Sequence, residues 1–247
     1  MGAYPYQFDP GVDTAPKLGL IALQSDETIE NDFRRLIPDS RVSLFHSRVR
    51  SAPEVTRETL AQMEHDLPNA AAMMPAAAAF DVVGYGCTSG TSVIGPGRIA
   101  ELVKEGCETK AVTEPLSALV AACAHLGIAR IAFLSPYVEA VSATLRGALN
   151  DQGIATPVFG SFEEGEESKV VRIDGPSVIR AACELVEDAA VDAIFMSCTN
   201  LRTLDVIQII EDKTGLPALS SNQVLAWHMM RLAGQTLRQP GYGRLLA

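Results

Sequence analysis

Two cysteines in the chain stand in closely similar surroundings. Cys87 follows the apolar letters DVVGYG and precedes TSGT, and Cys198 follows VDAIFMS and precedes TNLRT. Each therefore lies at the carboxyl end of a predicted buried strand, with a threonine directly after it. A thiolate can take a proton from carbon or add to a double bond, and a thiol can return a proton. Two cysteines on opposite faces of one carbon would allow its configuration to be inverted.

The short segments after these cysteines are suited to bind a carboxylate group. The letters TSGT follow Cys87, and we predict a strand-to-helix turn there that leads into a helix near Pro96. Unpaired backbone N–H groups at such a turn attract anions, and the hydroxyls of Thr88, Ser89 and Thr199 add further donors. The same N–H groups and the helix dipole are expected to lower the pKa of the neighbouring thiol. An ordinary helix cap in a small-residue turn is the alternative interpretation.

Short apolar runs alternate with helical stretches along the chain, which predicts a series of strands and helices. The predicted strands cover residues 18–23, 42–45, 81–86, 110–112, 130–134, 155–159, 191–196 and 217–219. The predicted helices cover the stretch from the QSDET turn to residue 36, and residues 54–66, 97–105, 116–126, 138–150, 176–188, 203–213 and 223–232. Near-continuous apolar strands separated by helices are typical of parallel sheets with both faces covered. The predicted fold class is therefore α/β.

The pattern of strands and helices begins again near Arg130. Lys17 and Arg130, which align at the start of the two series, are 113 residues apart, and Cys87 and Cys198 are 111 residues apart. This near-equal spacing predicts two pseudo-symmetric Rossmann-like lobes, residues 1–127 and 128–247, with a C-terminal segment that packs back across the first lobe. Ligands of parallel α/β sheets bind outside the carboxyl ends of the strands, so both cysteines are expected in one cleft between the lobes.

The amino-acid composition limits the kinds of molecule that the protein is expected to bind. The chain has 247 residues, of which 47% are hydrophobic, and a formal net charge of −10. Such an acidic protein is not expected to bind nucleic acid or an anionic membrane, although a local site can still bind a small anion. No apolar run reaches the roughly 18 residues that cross a bilayer, and residues 1–13 lack a basic and apolar leader. A cytoplasmic location is therefore expected.

The cysteine count argues against disulfides and a metal site. Five cysteines are an odd number, no CxxC pair occurs, and the four histidines are scattered. Neither a disulfide framework nor a zinc site is therefore expected. The other three cysteines, Cys107, Cys123 and Cys183, lie in or beside predicted helices and are expected to pack as small apolar side chains.

On several of these motifs the chain resembles the aspartate/glutamate racemase superfamily. The resemblance is carried by GLIALQSDETIENDF, VVGYGCTSGTSVIG, RIAFLSPYVEAV, AIFMSCTNLRTLDVI and TGLPALSSNQVLAWHMMRLAG. It looks closest to the branch that holds maleate cis–trans isomerases, arylmalonate decarboxylases and the racemase-like proteins of ectoine utilisation, and to the last of these in particular. The resemblance implies catalysis without a cofactor by Cys87 and Cys198, a small carboxylate or amino-acid substrate, and a homo-oligomer.

The resemblance also implies roles for neighbouring residues. Thr88, Ser89 and Thr199 look like the residues that bind the substrate carboxylate. Tyr137, in the motif SPY, matches a tyrosine of the family whose hydroxyl helps to hold the same carboxylate. Arylmalonate decarboxylases have a glycine in the place of Cys87, so decarboxylation is not expected in this chain.

Acidic residues stand where maleate isomerases have asparagines that bind a carboxylate. Asp26 in the motif QSD takes the place of one asparagine, and the other aligns near Glu167. An ionised Asp26 would repel a second substrate carboxylate by roughly 4 kcal/mol at about 4 Å and an effective dielectric near 20, and it would attract an ammonium group. Asp26 could instead cap the helix that follows it.

We therefore predict a cofactor-independent racemase or epimerase of an amino-acid-type carboxylate. In this reaction Cys87 and Cys198 exchange protons with opposite faces of one carbon, and Asp26 holds the amino group. The first alternative is maleate cis–trans isomerisation with a cysteine as nucleophile. An arylmalonate-type decarboxylase and a carboxylate-binding sensor without turnover are further alternatives. The same cysteine pair serves the first two reactions.

Overall fold

Two four-stranded parallel sheets organise the protein in a computed structural model that describes residues 2–9, 14–37 and 42–247. Parts of the N-terminal stretch interpreted above lie outside these residues. The strands are β1 (Lys17–Leu23), β2 (Ser43–Val49), β3 (Phe80–Gly86), β4 (Thr109–Thr113), β5 (Arg130–Ser135), β6 (Ala155–Ser161), β7 (Ala193–Met196) and β8 (Ala218–Ser220). All eight predicted strands are present, and the α/β fold class is confirmed.

The two sheets share one strand order. The first has the order β2-β1-β3-β4 and the second the order β6-β5-β7-β8, with parallel neighbours throughout. In each sheet the first strand in sequence lies between the second and the third, so the halves repeat one topology. The central strands are buried, as their apolar sequences predict: β1 is buried at every residue after its first.

Ten helices lie against the sheets within the described residues. They are α1 (Ile29–Leu36), α2 (Arg57–Ala72), α3 (Thr88–Ile94), α4 (Pro96–Gly106), α5 (Pro115–Leu126), α6 (Glu139–Asp151), α7 (Glu167–Val170), α8 (Gly175–Val186), α9 (Ile207–Thr214) and α10 (Ser221–Leu232). The sequence predicts no helix at α3 or α7, and it ends α2 six residues too early, since α2 continues through Pro68.

Helix α3 begins directly after Cys87, where the sequence predicts a turn. Its residues, TSGTSVI, include weak helix formers, so the helix depends on its surroundings. Cys87 occupies the N-cap position, and its Sγ accepts a hydrogen bond from the Gly90 N–H at 3.2 Å. A Cβ on Gly90 would lie 2.7 Å from the Tyr85 hydroxyl oxygen and 2.8 Å from the Met63 methyl carbon. The glycine thus allows α3 to pack closely against these side chains.

The C-terminal helix connects the two halves. Helix α10 packs against β8 of the second sheet and against α1, α5 and β3 of the first half. Asn222 Nδ2 donates to Asp32 Oδ2 at 2.8 Å, and Gln239 Nε2 donates to the Leu36 carbonyl at 3.2 Å. The C-terminal segment therefore contacts the first half, while the lobe boundary near residue 127 stays a prediction.

The described part of the chain contains free thiols and no membrane-spanning helix. Cys123 is buried in the main hydrophobic core, whereas Cys107 and Cys183 are partly exposed. None of the helices there is both long enough and apolar enough to cross a bilayer.

Candidate active site

Cys87 lies at the carboxyl end of β3 and is only 5% exposed. Burial raises the pKa of its thiol to about 12, and the hydrogen bond from the Gly90 N–H offsets only part of this increase. The expectation of a lowered pKa is therefore wrong for this structure. The thiolate loses its hydration inside the protein, and that loss outweighs the favourable field of the helix terminus.

Cys198 lies two residues after β7 and has an unusual backbone. Its φ of 103° falls in the left-handed region, which a residue with a Cβ rarely adopts and which often marks functional positions. Its Sγ accepts from the Asn200 N–H at 3.3 Å and lies 2.9 Å from the Tyr137 hydroxyl oxygen. Burial raises the pKa of this thiol well above its usual range, and the negative charge of Glu167 raises it further.

Both thiols line one small cavity at the carboxyl ends of the two sheets. The cavity is also lined by four other residues predicted from the sequence, which are Thr88, Ser89, Tyr137 and Thr199. Among the described residues the lining includes two acidic side chains, Glu54 and Glu167, and no lysine, arginine or histidine. About 20 Å³ is open to the centre of a water-sized molecule, which corresponds to about one water. A four-carbon acid would therefore require the surrounding segments to move apart.

Asp26 is buried beside the site but does not belong to the cavity lining. Its Oδ1 accepts from the backbone N–H groups of Thr28, the N-cap residue of α1, and of Ile29, its first residue, at 2.7 and 2.8 Å. Its Oδ2 is buried without a hydrogen-bond partner among the described residues. Burial raises the pKa of this carboxyl group. Asp26 therefore binds backbone N–H groups at the start of α1 without being its N-cap residue, and contact with a substrate amino group stays a prediction.

Glu167 lines the cavity as the first residue of α7, and the sequence assigned it no role. Its backbone N–H donates to the Pro53 carbonyl at 3.1 Å. Its Oε1 accepts from the Tyr137 hydroxyl at 2.5 Å, and its Oε2 accepts from Asn200 Nδ2 at 2.6 Å. Burial raises the pKa of Glu167, and these two hydrogen bonds counter part of the increase. The acidic letters EEGEES give no local signal that separates Glu167 from its neighbours.

The side chains of Ser221 and Thr199 connect the segment around Cys87 to the segment around Cys198. Ser221 is not among the site residues predicted from the sequence. Ser221 Oγ accepts from the Thr88 hydroxyl at 2.8 Å and from the Cys198 N–H at 3.1 Å. The Thr199 hydroxyl donates to the Gly86 carbonyl at 3.3 Å. Because Ser221 is distant in sequence from both of its donors, only the folded chain reveals this role. These bonds fix the two cysteine segments relative to each other.

The described residues contain no group of three histidine, cysteine or acidic side chains placed to hold a metal ion. The arrangement can supply two thiols, several hydroxyl donors and two carboxyl groups to a small molecule in the cavity. This combination suits proton transfer to and from carbon, or addition of sulfur to an activated double bond.

A comparison with known families identifies the family to which the chain belongs. Residues 45–246 match the family model described as arylmalonate decarboxylase. The chain belongs to the arylmalonate decarboxylase family. The matched region includes both cysteines and the other cavity residues named above, whereas Asp26, which is not part of the lining, precedes it.

Individual relatives match this chain over about half to nearly all of its length. A maleate isomerase of Nocardia farcinica is 28% identical over 241 residues, which cover 93% of this chain and 95% of that protein. An arylmalonate decarboxylase of Bordetella bronchiseptica is 31% identical over 122 residues, 49% of this chain and 51% of that protein. A solved structure of a Nocardia farcinica maleate cis–trans isomerase mutant, with a covalently bound succinylcysteine intermediate, superposes with a TM-score of 0.85 at 26% identity. That match covers 94% of this chain and 98% of the other.

Proposed function

We propose that the protein is a cofactor-independent isomerase that interconverts the cis and trans forms of a small unsaturated dicarboxylate of the maleate type. The observation that carries the proposal is the placement of Cys87 and Cys198 on the lining of one cavity. Relatives that match along nearly their whole length, from Nocardia farcinica and Geobacillus stearothermophilus, are named maleate isomerases. The succinylcysteine in a related structure supports a cysteine as the nucleophile.

In the proposed reaction, the sulfur of one thiolate forms a bond to C2 of the double bond, and the π electron pair moves to C3. The resulting carbanion, delocalised as an enediolate into its carboxylate, takes a proton from the thiol of the other cysteine. The C2–C3 bond is then single and rotates. The second cysteine removes the proton again, the double bond re-forms, and the C–S bond breaks to release the first thiolate.

The substrate carboxylates need hydrogen-bond donors, and the cavity supplies neutral ones. We propose that Thr88, Ser89, Thr199 and Tyr137 hold the carboxylate next to the carbanion. Burial keeps both thiols protonated in the closed cavity, since it raises both pKa values. Opening of the cavity for substrate entry would rehydrate the thiols and so reduce this penalty on the thiolate, and the nucleophilic thiol would then release its proton to water before the C–S bond forms.

The test is direct turnover of maleate. The purified protein is expected to convert maleate to fumarate, which proton NMR of the vinyl signals follows over time. Cys87→Ala and Cys198→Ala are each expected to abolish turnover, and Cys183→Ala, which changes a cysteine outside the cavity, is the matched control that keeps it. A folded protein that leaves maleate unchanged would contradict the proposal.

Racemisation of an amino-acid-type carboxylate is the second candidate, because the acidic lining favours it. Glu54 and Glu167 line the cavity and Asp26 is buried nearby, and such groups would attract an ammonium group and repel a second carboxylate. In D₂O, this reaction would place deuterium on the α-carbon of an amino acid or an N-acetyl-diaminobutyrate. Such exchange without maleate turnover would favour the racemase. Closeness to the ectoine-utilisation proteins and a homo-oligomeric state stay predictions.

A further inference from the structure

The hydrogen bonds around Cys198 have a definite direction. Tyr137 has one hydroxyl proton, and it donates this proton to Glu167 Oε1 at 2.5 Å. The same hydroxyl oxygen lies 2.9 Å from Cys198 Sγ. Since the tyrosine proton is directed to Glu167, the contact with sulfur is satisfied when the thiol donates its own proton to the tyrosine oxygen.

Asn200 holds the carboxylate in the orientation that this direction requires. Its Oδ1 accepts from the Glu27 N–H at 2.9 Å, which fixes the amide so that Nδ2 donates to Glu167 Oε2 at 2.6 Å. Both oxygens of Glu167 therefore accept hydrogen bonds, as an ionised carboxylate does. Glu167, Tyr137 and Cys198 are all buried, so the charge acts on the thiol through a medium of low dielectric.

Cys87 lies in a different environment. Its Sγ accepts from the Gly90 N–H, a contact that favours the thiolate. The nearby tyrosine, Tyr85, donates to Met63 Sδ at 3.5 Å rather than to a carboxylate. Cys198 Sγ also accepts a backbone N–H, from Asn200, so the two cysteines differ in the tyrosine beside them: Tyr137 is bonded to a carboxylate, whereas Tyr85 is bonded to a thioether.

We propose that Glu167 is a positioning residue that keeps Cys198 protonated, through Tyr137 and through its own negative charge. A protonated Cys198 fits the isomerisation proposed above, with Cys198 as the acid and Cys87 as the nucleophile. This division of roles rests on the function proposed above, but the protonation of Cys198 does not, since it can be measured without any substrate.

The first experiment measures the reactivity of Cys198 in a Cys87→Ala protein. Iodoacetamide alkylates the thiolate, and mass spectrometry of the peptide that contains Cys198 gives the rate at each pH. Glu167→Gln removes the charge and is expected to raise the rate at a fixed pH below the thiol's pKa by at least about ten-fold, which corresponds to a shift of about one pH unit. Glu167→Asp keeps the charge and should retain most of the original pH profile. Glu166→Gln removes the charge of an exposed neighbour and is the matched control, with no expected change.

An unchanged pH profile in a folded Glu167→Gln protein would overturn the proposal. A second measurement needs no change at Glu167: the infrared difference between the unmodified protein and Cys198→Ala should show the S–H stretching band of Cys198 at neutral pH. Absence of that band would also overturn the proposal. If maleate is not converted while both thiol measurements give the expected results, the proposed function fails and the assignment to Glu167 stands.

Discussion

Replacement of Asp32 by asparagine should change how stability depends on pH. Asp32 lies on α1 and is 5% exposed, and its Oδ2 accepts from Asn222 Nδ2 at 2.8 Å. Asn222 also donates to the Thr199 carbonyl at 2.8 Å, so Asp32 supports a segment that borders the cavity. Burial raises the pKa of Asp32 from 3.8 to about 7, against smaller opposing effects of the Asn222 bond and the Arg35 charge.

The sign of the effect follows from where the proton is bound. Between about pH 4 and about pH 7 the folded protein keeps the proton of Asp32 while the unfolded chain has lost it, so stability falls as pH rises through this range. Above the pKa of about 7 that Asp32 has in the folded protein, this loss of stability is complete. The pKa of Asp32 rises from 3.8 to about 7 on folding, and at about 1.4 kcal/mol per pKa unit this difference lowers the free energy of unfolding by about 4 kcal/mol at high pH.

An asparagine side chain is neutral at every pH in this range, so Asp32→Asn removes this titration. The variant should exceed the free energy of unfolding of the unmodified protein by about 1 kcal/mol near pH 4.5 and by about 4 kcal/mol near pH 8.5. Urea unfolding followed by circular dichroism at both pH values measures the difference. Asp212→Asn changes an exposed aspartate and is the matched control, with an expected effect within about 0.5 kcal/mol at either pH. A difference between Asp32→Asn and the unmodified protein that stays constant across this range would refute the reasoning.

Two further substitutions test the packing of the site. Gly90→Ala would place a Cβ 2.9 Å from Cys87 Sγ, so we expect the free energy of unfolding in urea to fall by about 1–3 kcal/mol and maleate turnover to decrease. Full activity at unchanged stability would be inconsistent with this close contact. Ser221→Ala leaves the Cys198 N–H and the Thr88 hydroxyl without their acceptor, so the same urea assay should show a free energy of unfolding lower by about 1–3 kcal/mol. An effect near zero would show that these donors find other partners.

The strands, and the position of both cysteines at one site, could be predicted because the sequence patterns that indicate them are local. Apolar runs such as DVVGYG mark buried parallel strands, and the carboxyl ends of parallel strands meet at one edge of a sheet. The repeated spacing between the halves then places Cys87 and Cys198 in equivalent positions, which the identical strand order of the two sheets explains. Fold class and the cavity lining by Cys87 and Cys198 therefore followed from pattern alone.

The features that the sequence missed depend on distant contacts. Helix α3 forms from weak helix formers because its glycine fits against Tyr85 and Met63. Glu167 differs from its acidic neighbours only through Tyr137 and Asn200, which are far from it along the chain. The pKa of Cys87 was predicted from the adjacent helix terminus, whereas burial by the whole fold determines its direction.

The central claim is that both cysteines act on one substrate in one cavity, with sulfur adding to a double bond. The most direct test is to incubate Cys198→Ala with maleate and to map the adduct by peptide mass spectrometry. We predict a succinyl adduct on Cys87, whose carbanion takes its proton from water when Cys198 is absent, and no adduct in a parallel sample of Cys87→Ala. An unmodified Cys87, or normal conversion of maleate to fumarate by Cys198→Ala, would contradict the account.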